Sequence, residues 1–157
     1  MREDFLERGG GTVSMYERVV RAAADAIVLA GPDGKIELWN PAAERLFGFT
    51  EAEAAGQSLD LIIPEKYRER HWDGFHQVMR TGKTDYGDQV LRVPALRKDG
   101  SRCSIAFTVG LLKKTDGQVE GILAVMRDDT EAFNTQKALR DRVKELEQAL
   151  EGAKAKR

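Results

Sequence analysis

The sequence predicts an α+β fold: a five-stranded antiparallel sheet with short helices and one long helix on one face, flanked by N-terminal and C-terminal helices. Three observations carry this. Pro32-Asp-Gly34, Lys98-Asp-Gly100 and Thr115-Asp-Gly117 each separate two strand-forming runs, as hairpin turns do. Cys103, Ile105, Phe107, Val109 and Leu111 alternate with Arg102, Ser104, Ala106 and Thr108, the period of a strand with two unlike faces. Trp39-Asn-Pro-Ala-Ala-Glu-Arg-Leu-Phe-Gly48 contains both ends of a two-turn helix, with Asn40 as cap, Pro41 at its first position and Gly48 as its stop.

The elements follow in order. Residues 1–13 read as a flexible N-terminal segment containing Gly9-Gly10-Gly11. Ser14 and Glu17 form a capping-box pattern that opens a flanking helix over 14–25, with Met15, Val19, Ala22 and Ala23 as its apolar stripe. Ala26 to Ala30 is a short apolar strand, turned back by Pro32-Asp-Gly34 into a second strand from Lys35 to Trp39. After the Asn40 helix, Thr50 and Glu53 form another capping box, closed by Gly56. Leu61-Ile-Ile-Pro64 leads into the long helix, from about Pro64 to Thr81 and ending at Gly82.

Three strands complete the sheet: Gln89 to Leu96, Ser101 to Lys113 and Gln118 to Arg127. The Cys103–Leu111 face is the predicted floor of the core. Beyond the domain proper (26–130), residues 131–157 form a separate helix. Leu139, Val143, Leu146 and Leu150 repeat at four, three and four residues, a coiled-coil seam among charged flanks. A narrow stripe of this kind suits a homodimer; the other reading is a lone helix lying on its own domain.

Composition narrows the function classes. A chain of 157 residues gives one domain with helical attachments, large enough for one core. A formal net charge of -1 argues against a nucleic-acid partner. No apolar run reaches bilayer-spanning length and no signal-peptide pattern opens the chain, so no membrane partner and a cytoplasmic location are expected. Cys103 stands alone, which removes an intrachain disulfide and a cysteine zinc cluster.

Taken together, the Trp39–Thr50 segment, the Arg97–Ser101 turn and the strand exit Met126-Arg-Asp-Asp-Thr-Glu131 resemble, in their order and spacing, a PAS domain over roughly Ala22 to Glu131. PAS domains are small sensory modules of bacterial signalling proteins. The resemblance implies a ligand pocket between the long helix and the sheet, and a signal exit through Asp129 and Thr130 into the C-terminal helix.

Both histidines fall on the long helix. His71 shares a face with Tyr67, Phe75 and Val78, while His76 lies around the side with Trp72, Met79 and Arg80. A histidine on an apolar stripe is either a core residue or an axial ligand of haem iron. Arg68-Glu-Arg-His71, and its ungapped spacing to Asp99-Gly100, resemble the haem PAS oxygen sensors of rhizobia. That likeness implies haem b with His71 as iron ligand, and Ile105, Phe107 and Val109 against the cofactor. One position departs from it: Leu91 stands where those sensors carry an arginine that hydrogen-bonds bound gas. Arg92 points to the other face of its strand, whereas Gln89 shares the face of Leu91 and offers a polar contact.

Other chemistry finds less support. Light-sensing flavin PAS domains carry a reactive cysteine in an Asn-Cys-Arg context, where this chain has Pro64-Glu-Lys-Tyr-Arg68. Cys103 reads as an apolar filler ahead of a thiolate ligand or redox switch. Arg92, Arg97 and Arg102 are either solvated strand charges or partners for a ligand carboxylate. No nucleophile–base–orienter set is legible, so no enzyme is expected. Two functions from different classes remain: a sensory module acting on an effector the sequence does not identify, and a ligand-free dimerisation module.

Overall fold

A computed structural model describes residues 13–156. The flexible segment expected over 1–13 therefore lies, but for Val13, outside the described residues. Ser14 caps helix α1 (Met15–Ala22) by accepting from the Glu17 N–H at 3.2 Å. Among the described residues the return bond that would complete a capping box does not form, and the helix stops before Asp25. Among the described residues its stripe is covered only at its end: Met15, Val19 and Ala22 are exposed and Ala23 is half-buried.

Strand β1 (Ala26–Ala30) and strand β2 (Ile36–Trp39) make the expected hairpin. Lys35 falls outside β2 and forms a single bridge to Ser58. Helix α2 (Pro41–Phe47) begins at Asn40, whose Oδ1 accepts from the Ala43 N–H at 3.0 Å, and ends at Gly48 with φ 85°. Only glycine takes that left-handed conformation at little cost. Helix α3 (Glu51–Ala54) carries a complete capping box between Thr50 and Glu53. A 3-10 turn (Leu59–Leu61) then leads through Pro64 into helix α4 (Glu65–Thr81).

Strands β3 (Leu91–Leu96), β4 (Arg102–Lys113) and β5 (Val119–Asp128) complete one antiparallel sheet in the order β2-β1-β5-β4-β3. Pro94 has no N–H to donate, and it lies on β3, an edge strand where that loss is tolerated. The inner face combines Val28 of β1, Ile105 of β4 and Met126 of β5 with Phe47 of α2 and Phe75 of α4 in one buried cluster. Phe47 is fully buried, and its ring centroid lies 5.3 Å from that of Trp39, whose Nε1–H donates to the Phe49 carbonyl. Trp72 of α4 packs over Gly34, at the tip of the first hairpin. Helix α5 (Thr130–Ala155) then leaves the domain with no buried residue.

Candidate functional site

Helix α4 turns one face toward the sheet. Phe75 is buried on it; Tyr67, His71 and Val78 are half-buried. The His71 ring stands edge-on to Trp72 with centroids 4.8 Å apart, and lies 6.2 Å from the Phe75 ring. Trp72 is fixed in turn by its Nε1–H, which donates to Asp60 Oδ1 at 2.8 Å. The His71 Nδ1 atom is buried and has no hydrogen-bond partner among the described residues. Burial pushes the His71 imidazole below its ordinary pKa; the Asp60 charge partly opposes this and His76 adds to it. The ring is therefore neutral at pH 7, the form in which imidazole binds metal or takes both donor and acceptor roles.

Opposite the helix, the inner face of β3, β4 and β5 is apolar. Leu91 pairs with Phe107, Phe107 with Met126, and Val109 with Ala124. Ile105 is buried, Phe107 packs against the core, and Leu91 and Val109 are half-buried outside that packed cluster. The alternation read from β4 holds at Cys103, Ile105 and Phe107. Ser104, on the other face, is buried as well, because the start of α5 covers it.

Gln89 corrects the sequence reading. Strand β3 begins at Leu91, and Gln89 sits in the preceding turn, exposed, with its N–H donating to the Tyr86 carbonyl at 2.8 Å. Strand alternation therefore does not hold Gln89 beside Leu91. Two open surface depressions also lie elsewhere: one between the end of α4 and the β4–β5 turn, the other around Asp25, Arg45 and Arg127. Neither is lined by His71, Phe107 or Val109.

Cys103 is buried, and burial pushes its thiol pKa up, which favours the filler reading over a thiolate ligand. Among the described residues, no group of three or more His, Cys, Asp or Glu side chains could hold a metal ion. Haem needs only one protein ligand, and the unpartnered neutral imidazole of His71 fits that single requirement. Ligand histidines usually donate their second ring N–H to a protein acceptor, and His71 Nδ1 has no such partner among the described residues.

Asp129 and Thr130, expected from the sequence to be the signal exit, are tied to the sheet. The Asp129 N–H donates to the Ser104 carbonyl at 2.8 Å, and the Ser104 N–H donates to Thr130 Oγ1 at 3.0 Å. Arg97 pairs with Asp128 at 2.7 Å and Arg92 with Asp129 at 3.1 Å, so two of the arginines considered for a ligand carboxylate already face carboxylates of their own chain. At Asp128, burial acts to raise the pKa, but hydrogen bonds from Thr130 and the charge of Arg97 outweigh it and hold the carboxyl below its ordinary value. Leu139, Val143, Leu146 and Leu150 of α5 are 63%, 53%, 54% and 57% exposed, an apolar seam uncovered in the single chain.

Sequence reasoning missed the reach of Asn40. Beyond capping α2, it accepts from the Ile27 N–H and donates to the carbonyls of Val20 and Asp25. A cap signature names only the local bond; partners on α1 and β1 leave no trace in local pattern.

Comparison with known proteins agrees with this architecture. The family model described as the PAS fold matches residues 14–128. Sensor protein FixL of Bradyrhizobium diazoefficiens is 32% identical over 129 residues, covering 82% of this chain and 25% of that protein. The cell-division control histidine kinase PdhS of Brucella abortus is 27% identical over 137 residues, covering 87% of this chain and 13% of that one. The chain thus spans a quarter or less of the length of these curated relatives. Among solved structures, a PAS domain from Colwellia psychrerythraea superposes with a TM-score of 0.65 at 23% identity, over 74% of this chain and 95% of that one. An RNA-binding light-oxygen-voltage receptor superposes at 0.67 and 19% identity, over 87% of this chain and 41% of that one. Those two likenesses concern the fold alone. With the matched family model spanning every strand of the sheet, the chain belongs to the PAS family.

Proposed function

We propose that this chain is a cytoplasmic sensory module: it binds a small ligand between α4 and the inner face of the sheet and relays its state through a pair of α5 helices. The leading ligand is haem b, with His71 as the iron ligand. The observation that carries this reading is the buried, unpartnered Nδ1 of a neutral His71 on the helix face turned to an apolar sheet. A buried polar atom left unpaired costs about 1–3 kcal/mol, which only a ligand engaging that same nitrogen would offset. The 32% identity to a rhizobial sensor protein adds support.

When bound, haem supplies an iron centre for gas or electron chemistry. His71 would hold it, with Tyr67, Phe75 and Val78 on the helix side and Leu91, Ile105, Phe107 and Val109 on the sheet side. Leu91 has no side-chain donor and Gln89 is exposed in a turn, so gas recognition through a strand arginine is no part of this reading. Catalysis is no part of it either; output passes through Asp129 and Thr130 to a partner protein or effector domain. Such a relay requires the ligand to bind two α5 arrangements with different affinity. Identical α5 pairing with and without every bound ligand would sink it.

A second reading, a ligand-free dimerisation module, is favoured by one observation: Phe75, Ile105, Phe107 and Met126 already pack together. An absorption spectrum of protein from haem-supplemented cells, beside a His71→Ala variant, separates the two. A Soret band present in the parent and lost in the variant supports the haem reading. A folded protein with no band in either form retires it and leaves the second.

A further inference from the structure

Strand β3 is held unequally along its length. It is an edge strand, so β4 is its only neighbour in the sheet, and Pro94 in its middle has no N–H to donate. Its C-terminal end is fastened from several sides. The Leu96 N–H donates to the Ile62 carbonyl at 2.9 Å, and the Arg97 side chain that follows donates to the Leu46 carbonyl at 3.2 Å and pairs with Asp128 at 2.7 Å. The N-terminal end is looser. Leu91 is half-buried, Val93 is 39% exposed, and the residues just before them belong to no strand. Beyond its ladder to β4, this end has one hydrogen-bonded tie to a distant part of the chain among the described residues, and Arg92 makes it.

Strand alternation joins that tie to the candidate site. Leu91 and Val93 lie opposite Phe107 and Ile105 on the inner face, so Arg92 between them turns to the outer face. There the start of α5 covers the sheet at Ser104, and Arg92 Nε donates to Asp129 Oδ2 at 3.1 Å. The Asp129 carbonyl in turn accepts from the Phe133 N–H at 2.8 Å, a bond of the first turn of α5. The Asp129 side chain is 16% exposed, but that of Arg92 is 59% exposed, so the pair is weak enough to be made and broken readily.

We propose that the Arg92–Asp129 bond is the link through which the loose end of β3 sets the first turn of α5, which makes Arg92 a positioning residue for that helix. A group pressing on Leu91 from the site shifts the backbone that carries Arg92, and the hold on Asp129 changes with it. Arg97, on the fastened end, keeps its grip on Asp128 in both states. The assignment of that push to a bound ligand rests on the sensory reading above; the link itself is testable with no haem present.

The experiment is amide hydrogen exchange on the full chain, read at Phe133 and the amides that follow it. Arg92→Gln should speed exchange there about two- to fivefold while leaving β1 and β5 unchanged. Leu91→Trp then stands in for the push, and Leu91→Ala gives the opposite step should the larger residue prevent folding. Either Leu91 variant should alter exchange in the first turn of α5 in the parent and in Arg97→Gln, and should have no effect there in Arg92→Gln. The same response with and without Arg92 overturns the proposal, as does its loss in Arg97→Gln or the absence of any response in the parent. A Soret band accompanied by one of those outcomes leaves the haem reading intact and removes only the link. The expected pattern in a protein with no Soret band keeps the link and retires haem as what drives it.

Discussion

The side-chain amide of Asn40 donates to the Val20 carbonyl at 3.0 Å, which joins the flanking helix α1 to the domain across twenty positions of sequence. The same side chain donates to the Asp25 carbonyl and accepts from the Ile27 and Ala43 N–H groups, so both its ends are in use, and it is 3% exposed. Asn40→Ala is expected to destabilise the fold by about 3 kcal/mol, since it removes a cap and strands several polar groups. Asn40→Asp keeps the acceptor bonds and loses both donors. Hydrogen exchange in that variant should rise selectively in α1, and unchanged α1 protection would show that Asn40 does not hold the helix.

Gly34 has φ 75°, and a Cβ there would run into the Trp72 ring. Gly34→Ala therefore combines backbone strain with a clash against a side chain fixed by its bond to Asp60. A loss of about 2–4 kcal/mol is expected, read as a lower denaturant midpoint, together with altered Trp72 fluorescence. A midpoint within error of the parent would mean that the α4–hairpin contact is loose.

The pH dependence has a definite sign. The folded state holds His71 below the ordinary value of 6.5, so between the folded and unfolded pKa values the unfolded chain binds more protons. The stability this group contributes is fully present above pH 6.5 and is lost as pH falls through the folded value. His71→Gln, which does not titrate, should flatten the stability curve in that window. An unchanged slope in the variant would place the titration on another group.

Because Leu139 and Leu146 are more than half exposed in the single chain, a charge at either position costs the domain little. Leu139→Glu or Leu146→Glu should convert dimers to monomers by light scattering without shifting the midpoint for unfolding of the sheet. A domain destabilised by either change would mean that α5 lies on its own sheet.

How much of this was legible depended on distance along the chain. Asn40, Pro41 and Gly48 set α2 by bonds that close within four residues, and Thr50 with Glu53 set α3 the same way, so both helices could be read directly. The three Asp-Gly turns likewise sit at local φ values only glycine accepts readily. The start of β3 was misplaced because Gln89 and Val90 continue the alternation, whereas Tyr86 draws the Gln89 N–H into a turn. At the site, Tyr67, His71, Phe75 and Val78 share a face by helical period, which sequence shows. That His71 Nδ1 has no partner among the described residues, and that Asp60 bonds Trp72, are three-dimensional facts no local pattern encodes. The strand order was also beyond local pattern, because β1 pairs with a strand that begins some ninety residues later.

That last pairing has an architectural consequence. Ala26, the first residue of β1, lies opposite Met126 near the end of β5, and Asp25 and Arg127 close the gap beside them with two bonds of 2.9 and 3.0 Å. The polypeptide thus comes into the sheet and goes out of it on adjacent central strands, about 5 Å apart. A unit wired in this way can be spliced into a longer polypeptide as a side branch. The segments before and after it keep nearly the spacing they would have had without it, and several such units can be strung in series without rebuilding any of them.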